Sequence, residues 1–291
     1  MVAIDVSNPP PDEAVAFCEG AHALQVRGVR AGHTFEVQDW VADEMPVALE
    51  YNGISHAVML ATPLDLEDFA LGFSLTEGIL DSADDLYAVD EEPSALGITL
   101  HLRVASAAFM RLKERRRSLS GRTGCGLCGT ESLSQVVREL APLPRQASFS
   151  RRAISHAMAQ FRALQTLQQA TGAVHAAAWC SADGEVLWLR EDVGRHNALD
   201  KLIGALARNT VDAGSGFIAV TSRASFEMVQ KTALAGVSLL AAVSAPTSLA
   251  VTTAERAGLT LVGFARQQDL VVYCHPDRLS LDGSAETSHA H

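Results

Sequence analysis

Residues 191–197 read Glu-Asp-Val-Gly-Arg-His-Asn, a polar stretch between an apolar run and a run with helical spacing. The two runs before it predict a hairpin of strands 174–180 and 186–190 around residues 182–184, and the run after it predicts a helix over 197–208. Downstream, the same alternation predicts strand 217–222, helix 225–235, strand 237–243, helix 247–257, strand 259–265 and strand 269–274. Strands that alternate with helices are typical of a mainly parallel sheet with helices on its faces. Right-handed crossovers would bring the ends of such strands, and the turns after them, to one edge.

Polar turns follow three of the predicted strands, and each turn contains an arginine. The turns and their arginines are 191–197 with Arg195, 221–225 with Arg223, and 264–269 with Arg266. A guanidinium on a rigid turn can hold a phosphate by two hydrogen bonds, and the free backbone N–H groups at a helix start favour anions. The sequence therefore predicts a pocket for a phosphate-rich ligand, with His196 placed to donate or accept a proton.

Common nucleotide and deaminase signatures are absent from the sequence. There is no Walker sequence and no Gly-x-Gly-x-x-Gly fingerprint, so an ordinary nucleotide enzyme is not indicated. The His-x-Glu with a downstream Pro-Cys-x-x-Cys that marks zinc deaminases is also missing. A simpler alternative is that 191–197 is only a capped turn, closed by a salt bridge from Asp192 to Arg195.

A glycine-rich segment carries a pair of cysteines. Residues 121–130 read Gly-Arg-Thr-Gly-Cys-Gly-Leu-Cys-Gly-Thr, which places Cys125 and Cys128 in a Cys-x-x-Cys pair. Glycines permit backbone conformations with positive φ, and the basic residues of 111–122 would stabilise a thiolate, the reactive form of cysteine. Three chemistries fit the pair: half of a four-ligand zinc site, dithiol–disulfide exchange, and transport of a sulfur atom as a persulfide. A surface loop with two idle thiols is a fourth, and the segment alone leaves all of them open.

The first half of the chain predicts a smaller α+β lobe. Asn-Gly at 52–53, between strands 46–51 and 54–61, predicts a tight hairpin. Thr62 is expected to cap a helix with Pro63 at its first position. Alternation over 98–104 predicts another strand, and helical spacing predicts one long helix over 150–170. The expected organisation is a flexible leader 1–32, an N-terminal α+β lobe 33–145 that ends in the Cys-x-x-Cys loop, an α/β domain 146–280, and a disordered tail 281–291.

Composition bounds the possible functions. The net charge of −11 over 291 residues argues against non-specific nucleic-acid binding by the whole surface. Five cysteines in no regular framework suit a reducing cytosol, and the first residues lack the pattern of a signal peptide. The uncharged stretch 232–253 could pass for a membrane span, but its Gly, Pro, Ser and Thr content favours a buried strand followed by a helix. We therefore expect a cytoplasmic protein with neither a nucleic acid nor a membrane as partner.

Several motifs together resemble one known family, the formate dehydrogenase accessory sulfurtransferases, or FdhD family. The matching segments are 123–129 (Thr-Gly-Cys-Gly-Leu-Cys-Gly), 191–201 (Glu-Asp-Val-Gly-Arg-His-Asn-Ala-Leu-Asp-Lys), 225–228 (Ser-Phe-Glu-Met), 44–46, 52–53, 62–65, 72–73 and 77–78. The resemblance runs from about residue 40 to 275, and the long segment 191–201 makes it specific.

The resemblance implies a fold and a function. The fold would be a cytidine-deaminase-like three-layer α/β/α domain that has lost its zinc, plus a smaller N-terminal α+β lobe. The protein would be a cytoplasmic, homodimeric sulfurtransferase. It would take persulfide sulfur from a cysteine desulfurase. It would pass the sulfur to the molybdenum cofactor, in its bis-molybdopterin guanine dinucleotide form, for the catalytic subunit of formate dehydrogenase. No metal of its own is expected.

The resemblance also assigns roles to residues. The family's persulfide cysteine matches Cys125, and Cys128 matches its partner. The cofactor-contacting turn of the family matches Phe264, Ala265, Arg266, Gln267, Gln268 and Asp269. Arg195, His196 and Arg223, on the other two turns, complete the predicted cofactor-binding set.

Two departures from the family pattern concern glycines. Ala173 and Ser222 stand where many relatives have glycine, so the binding geometry beside His175 and Arg223 could differ here. A competing function is a non-catalytic chaperone that binds the cofactor and uses its cysteines for structure or redox chemistry. The sequence does not separate the two functions, because both need the pocket.

Overall fold

The computed structural model describes residues 18–120, 140–144 and 148–281, with the backbone alone for 115–120. The two cysteines at 125 and 128 and the expected tail from 282 onward lie outside the described residues.

Strands and helices between residues 186 and 274 follow the predicted order, and further strands that were not predicted lie elsewhere in the described residues. The strands are β1 (Ala21–Arg30), β2 (His33–Ala42), β3 (Met45–Tyr51), β4 (Ile54–Ala61), β5 (Leu86–Ser94), β6 (Gly97–Val104), β7 (Phe149–Ser150), β8 (His175–Ser181), β9 (Val186–Asp192), β10 (Gly216–Val220), β11 (Leu239–Ala242), β12 (Thr260–Arg266), β13 (Asp269–Cys274) and β14 (Leu279–Ser280). The α-helices are α1 (Leu66–Thr76), α2 (Ser106–Ser120), α3 (Arg151–Leu164), α4 (Thr166–Thr171), α5 (Arg195–Arg208), α6 (Phe226–Leu234) and α7 (Ser248–Ala257), and short 3₁₀ turns lie at Ala83–Asp85 and Pro276–Arg278.

The larger sheet is mixed. Its six strands lie in the order β13-β12-β11-β10-β8-β9. Only the pairings β10–β11 and β11–β12 are parallel, whereas β8–β9, β8–β10 and β12–β13 are antiparallel. The expectation of a mainly parallel sheet is therefore wrong, although the α/β class is confirmed. The turns at 182–185 and 267–268 are too short for a crossover, so each must join antiparallel strands.

Helices cover both faces of this sheet. On one face, Ile154 and Phe161 of α3 pack with alternate strand residues such as Ala178. On the other face, α5, α6 and α7 pack over the intervening residues, with Trp179 and Met228 in the same cluster. Because successive strand residues point to opposite faces, this two-sided burial explains the nearly continuous apolar runs in the sequence.

The smaller sheet has four strands in the order β4-β3-β6-β5. Leu49 and Leu100 of this sheet and Phe69 of α1 are fully buried in one cluster, to which Leu112 of α2 also belongs. Asn52, with φ of 45°, and the glycine after it turn β3 into β4, as predicted. The predicted strand over 98–104 is confirmed as β6.

Helix α1 begins later than predicted. It starts at Leu66 and follows Asp65, whose φ is 53°, so Pro63 is not its first residue. Thr62 is fully buried and does not cap the helix. Instead, its backbone binds Asp192 and Lys201 of the larger sheet and its helix. Tertiary contacts have overridden a sequence that is typical of a helix start.

The expectation of a flexible leader over 1–32 is wrong for residues 21–30. These residues form β1, which pairs with β2 as an antiparallel hairpin. Ala21 at the base of the hairpin is buried with Leu167 and Val174, but Val29 near its tip is 69% exposed. Because solvent surrounds most of the hairpin, its sequence lacks the apolar alternation of a half-buried strand. The other domain boundaries stay predictions.

The predicted helix over 150–170 is in fact two helices. Gln165, with ψ of 78°, separates α3 from α4. The carboxylate of Glu191 accepts hydrogen bonds from the backbone N–H groups of Leu167 and Gln168, both at 2.9 Å. These bonds give α4 an N-terminus of its own. No glycine or proline marks the break, so the sequence carried no local signal for it.

The two lobes meet where α1 crosses α5. A Cβ atom at Gly72 would overlap the backbone carbonyl of Asp200, and one at Gly204 would overlap that of Asp68. Glycine at both positions lets the two helix backbones touch. This close approach brings the polar side chains of α5 within reach of the smaller lobe.

Candidate functional site

The three predicted turns lie at one edge of the larger sheet. Val220 at the end of β10 stands opposite Ala177 near the start of β8, and the N–H of Thr221 donates to the carbonyl of Ala176 at 3.0 Å. The start of β8 and the end of β9 are therefore beside the end of β10, and the parallel strands β11 and β12 end there too. The turns 191–197, 221–225 and 264–269 share this edge, as the crossover argument predicted.

Asp192 is the structural centre of the first turn. Its side chain is completely buried, and the Lys201 ammonium lies 2.7 Å from its Oδ2 atom. The N–H of Thr62 donates to the same oxygen at 3.0 Å, while the N–H of Gly194 donates to Oδ1 at 2.7 Å. The alternative salt bridge from Asp192 to Arg195 is wrong, because both carboxylate oxygens are occupied by these other donors.

Lys201 and Asn197 extend this network into the smaller lobe. Lys201 Nζ donates to the carbonyl of Thr62 at 2.9 Å, and the Asn197 amide donates to the carbonyl of Leu60 at 2.8 Å and to Asp192 Oδ1 at 2.9 Å. Burial lowers the pKa of Lys201, and the Asp192 carboxylate opposes that shift. These polar residues of the motif thus bind the two lobes together.

A second buried ion pair lies farther along α5. Lys231 Nζ is 2.9 Å from Asp200 Oδ1, and Thr76 donates to the same oxygen at 2.7 Å. Burial raises the pKa of the Asp200 carboxyl, and Lys231 opposes this shift. Thr76 belongs to α1, so this pair also ties the lobes to each other.

Arg195 and His196 form the first turn of α5. The Arg195 Nε atom is buried and has no hydrogen-bond partner among the described residues. His196 Nε2 lies 3.3 Å from Glu227 Oε2, which also accepts a hydrogen bond from the Ser225 hydroxyl at 3.0 Å. The starts of α5 and α6 are therefore joined by an imidazole–carboxylate contact, to which the motif 225–228 contributes.

Two histidines beside Arg195 are held in their neutral form. Burial lowers the pKa of His175, and the positive charge of Arg195 lowers it further. The same two causes lower the pKa of His196, whereas Glu227 opposes them. The Arg195 guanidinium, and near His196 also Lys231, thus disfavour a second positive charge on these imidazoles, and each neutral imidazole can accept or donate a hydrogen bond.

The third turn has an unusual backbone. Phe264 and Gln267 both have φ of 52°, and the Phe264 ring is 41% exposed. Arg266 Nε donates to the carbonyl of Val243, at the end of the neighbouring strand, at 2.9 Å. Arg151 of α3 donates to the carbonyl of Gln268 at 3.0 Å. The turn is thus held from two sides, and its guanidinium is oriented by the sheet edge.

A groove runs between this edge and the end of α3. Its larger part has a volume of about 1310 Å³ and is lined by Arg266, Gln267 and Thr221. A smaller hollow of about 370 Å³, lined by His175, adjoins it, and both are lined by Thr221. Guanidinium, amide and hydroxyl groups along one wall suit a large polar ligand with phosphates.

Sequence reasoning missed Gln165 as a groove residue. It lines both parts of the groove, and its side chain is buried at the break between α3 and α4. Its position depends on Glu191, whose carboxylate caps α4 from the first turn. The pKa of Glu191 is raised by burial, and the hydrogen bonds from Leu167 and Gln168 counteract the shift. A long-range contact of this kind leaves no pattern near residue 165.

The structure brings some predicted site residues together and leaves others apart. Ala265, Arg266 and Gln267 line the groove, and Phe264, Gln268 and Asp269 belong to the same turn. Arg195, His196 and Arg223 lie at the same edge but outside the lining of these two hollows. Cys125 and Cys128 lie outside the described residues.

The two residues that replace family glycines lie beside the groove. Ala173 lines the smaller hollow. Ser222 is buried, and its hydroxyl donates to the carbonyl of Arg223 at 3.0 Å. The hydroxyl therefore has a partner within its own turn, while Ala173 adds a methyl group to the groove wall.

The described residues contain neither a metal-ligand cluster nor a helix that could span a membrane. Across 18–120, 140–144 and 148–281, no group of three His, Cys, Asp or Glu side chains is arranged to hold a metal ion. In the same ranges, no helix has both the length and the apolar character that crossing a membrane requires.

Comparisons with known proteins agree with each other. A model of the FdhD/NarQ family matches residues 42–280. A protein of Variovorax paradoxus named sulfur carrier protein FdhD is 67% identical over 260 residues, which cover 89% of this chain and 94% of that protein. A protein of the same name from Cupriavidus necator is 61% identical over 255 residues, or 88% of each chain.

The fold also matches a solved structure. The crystal structure of a protein from Desulfotalea psychrophila, assigned as a formate dehydrogenase accessory protein, superposes with a TM-score of 0.70. The match covers 89% of this chain and 99% of the other, at 23% sequence identity. At this identity the match shows a shared fold.

Proposed function

The chain belongs to the FdhD/NarQ family, and from this membership we propose that it is a sulfur carrier that serves the maturation of formate dehydrogenase. One observation carries the proposal: a relative named sulfur carrier protein FdhD is 67% identical over 89% of this chain. The matched 260 residues must include parts of both lobes, so the proposal does not rest on a single motif.

The proposed chemistry is persulfide transfer through Cys125. Its thiolate attacks the outer sulfur atom of a persulfide on a cysteine desulfurase, a new S–S bond forms at Cys125, and the desulfurase cysteine leaves as a thiolate. No external oxidant or reductant is needed, because one S–S bond replaces another. The basic residues that precede the loop, beginning with Arg111 and Lys113 of α2, support a thiolate at neutral pH. Cys128 is proposed as the partner thiol.

The groove at the sheet edge is the proposed binding place for the substrate that receives the sulfur. That substrate is the molybdenum cofactor in its bis-molybdopterin guanine dinucleotide form. The volume of about 1310 Å³ and the donors of Arg266 and Gln267 support this assignment, since phosphates and a guanine base need such donors. Arg195, His196 and Arg223 at the same edge are proposed to contact the parts of the cofactor that extend beyond the groove.

Several finer features complete the proposal. Helices on both faces of a mixed sheet are compatible with a cytidine-deaminase-like ancestry of the larger domain. The protein is proposed to act in the cytoplasm as a homodimer, with a cysteine desulfurase and the formate dehydrogenase catalytic subunit as its partners. These partners are the ones that the resemblance to the FdhD family implies.

Mass spectrometry after incubation with a cysteine desulfurase and cysteine tests the proposal. The peptide that contains Cys125 should gain the mass of one sulfur atom, and a reductant should remove it. Cys180 and Cys274 serve as internal controls, because burial raises the pKa of both thiols. Equal sulfur loading in Cys125→Ala would contradict the assignment.

The chaperone alternative predicts a different result. A protein that only holds the cofactor would bind it without accepting sulfur, and its cysteines would form a disulfide or hold zinc. Stoichiometric zinc that is released only with loss of folding, together with no persulfide on Cys125, would favour this alternative.

A further inference from the structure

A second groove lies at the opposite end of α5 from the candidate site. Its first chamber, of about 480 Å³, lies where α1, α5 and α6 end, and Leu80, Leu206 and Leu234 contribute to its walls. A second chamber of about 520 Å³ shares Ala83 and Ala207 with the first. We call the two chambers the helix-end groove. Since α5 has 14 residues and rises about 1.5 Å per residue, this groove lies about 20 Å from Arg195.

The groove exists because small residues line it. Ala83, Ala207, Ala213 and Ala235 stand where larger side chains would fill the space. Leu206 is nearly buried on the floor, whereas Leu234 at the margin is 40% exposed. An unfilled apolar chamber lacks the dispersion contacts that a close-packed interior would have. A large apolar side chain from outside could occupy this chamber and regain those contacts.

The margin of the groove is negative. Asp81 and Ser82 line the first chamber, Asp84 lines the second, and Asp212 lies between two residues that line the first. Two arginines also lie here, but both are paired: Arg111 with Asp81 at 2.8 Å, and Arg208, which lines the second chamber, with Glu67 and Asp68 at 2.9 Å. Among the described residues, no basic side chain forms an ion pair with Asp84 or Asp212, so these two carboxylates remain available at the margin. The C-terminal ends of α1, α5 and α6 add partial negative charge.

From this arrangement we infer that the helix-end groove is a docking site for a basic segment of a partner protein. The segment carries one large apolar side chain, which enters the chamber beside Leu206 and Leu234. Its lysines or arginines pair with Asp84 and Asp212 at the margin. Charge complementarity selects this occupant over a neutral or acidic one. The inference does not depend on the sulfur-carrier proposal, because the site shares no residue with the groove at Arg266.

Fluorescence anisotropy with defined peptides tests this inference on the full-length protein. The probe is a labelled peptide with one phenylalanine between runs of lysine, and two matched peptides have serine in place of phenylalanine or glutamate in place of lysine. The phenylalanine–lysine peptide should bind at least about tenfold more tightly than either matched peptide. Equal binding of the serine peptide would reduce the interaction to general attraction by an acidic protein and overturn the inference.

Two variants locate the binding. Ala207→Leu places a larger side chain where the two chambers meet and should weaken binding of the phenylalanine–lysine peptide about tenfold without lowering the melting temperature. The matched control, Ala170→Leu, places the same side chain beside a different hollow and should bind as the wild type does. Replacing Asp84 and Asp212 by asparagine should weaken binding, while the exposed control Asp183→Asn should not.

Sedimentation analysis separates a partner from a second copy of the chain. The dimer dissociation constant should be the same in Ala207→Leu and in the wild type. A clear change in that constant would make the occupant a second copy and overturn the inference. Unchanged peptide binding in Ala207→Leu would likewise overturn it, because the peptide would then lie elsewhere.

Discussion

The Lys201 ammonium lies 2.7 Å from the Asp192 carboxylate, and solvent reaches neither side chain. Each has further partners, and Thr62 of the smaller lobe binds both through its backbone. A buried charge that loses its partner remains desolvated without compensation, which is far more costly than losing a surface pair.

Removing one member of this pair should therefore strongly destabilise the fold. Lys201→Met is expected to lower the free energy of unfolding by about 3–5 kcal/mol, because it leaves the Asp192 carboxylate buried and unpaired. Urea denaturation followed by circular dichroism measures the change. The double variant Asp192→Asn with Lys201→Met should lose less stability than the two single losses added together. Strict additivity would show that the two charges do not interact.

The helix crossing offers a second prediction about stability. Gly204→Ala puts a methyl group against the backbone carbonyl of Asp68, so α1 and α5 must move apart. We expect a loss of about 1–3 kcal/mol or more in the free energy of unfolding, as for other overpacked sites. Gly214→Ala is the matched control, because a Cβ there would meet only the Asp212 side chain at 3.3 Å. Equal thermal stability of the two variants would contradict the close crossing.

The pKa values of His175 and His196 should respond to Arg195. Both are lowered, mainly by burial and then by the Arg195 charge, so Arg195→Gln should raise both. Nuclear magnetic resonance titration of the imidazole protons measures these values. His101 is the control, because its pKa is raised by Glu92 and Glu50 in the other lobe and should not change. An unchanged His175 titration would show that Arg195 points away from it.

These lowered pKa values also predict a dependence of stability on pH. Between the folded-state pKa and the ordinary value of 6.5, the unfolded chain binds more protons than the folded one at His175 and His196. Their contribution to the free energy of unfolding should therefore fall as pH decreases through this window. Since His101 acts in the opposite direction, the comparison must be made between the wild type and Arg195→Gln. The variant should lose less stability over the same window.

Binding of a guanine nucleotide tests the proposed groove. Arg266→Ala should weaken binding of guanosine diphosphate by about 1.5–3 kcal/mol, which is about a tenfold to hundredfold rise in the dissociation constant. Arg266→Lys should rescue little, because an ammonium cannot reproduce the two-pronged contact of a guanidinium. Calorimetry measures the dissociation constants of both variants, and Arg103→Ala, at an exposed position in the other lobe, is the control. Wild-type affinity in Arg266→Ala would remove the groove from the proposed function.

Local pattern was sufficient to predict most elements of the larger domain. The alternation from 186 to 274 was confirmed strand by strand, because strands buried on both faces and helices with one apolar face have distinct periods. The shared edge of the three turns followed from the same topology. The hairpin of β8 and β9 was predicted too. The antiparallel pairing of β8 with β10 was not, because it joins strands that are distant in sequence.

The parts that could not be predicted depend on contacts between distant residues. Thr62 looks like a helix cap, yet its backbone is used by Asp192 and Lys201, which lie more than a hundred residues away. Gln165 lies in the groove only because Glu191 interrupts a helix that the local sequence would continue. Buried polar contacts of this kind have no period and no fixed spacing, so one sequence does not reveal them.

Glu191 and Asp192 are adjacent in β9 and serve opposite sides of the strand. Glu191 caps the helix that forms the groove wall, while Asp192 binds the smaller lobe. In an alanine scan scored by formate dehydrogenase activity in cells, we expect variants at both residues to be inactive. From activity alone, both residues would then be taken for participants in sulfur transfer. The contacts of the two residues indicate instead that these variants would be inactive because the fold is destabilised, and not because a reacting group is missing. Within the segment 191–201, Arg195 and His196 are the residues proposed to contact the cofactor, so variants at these two positions test that proposal.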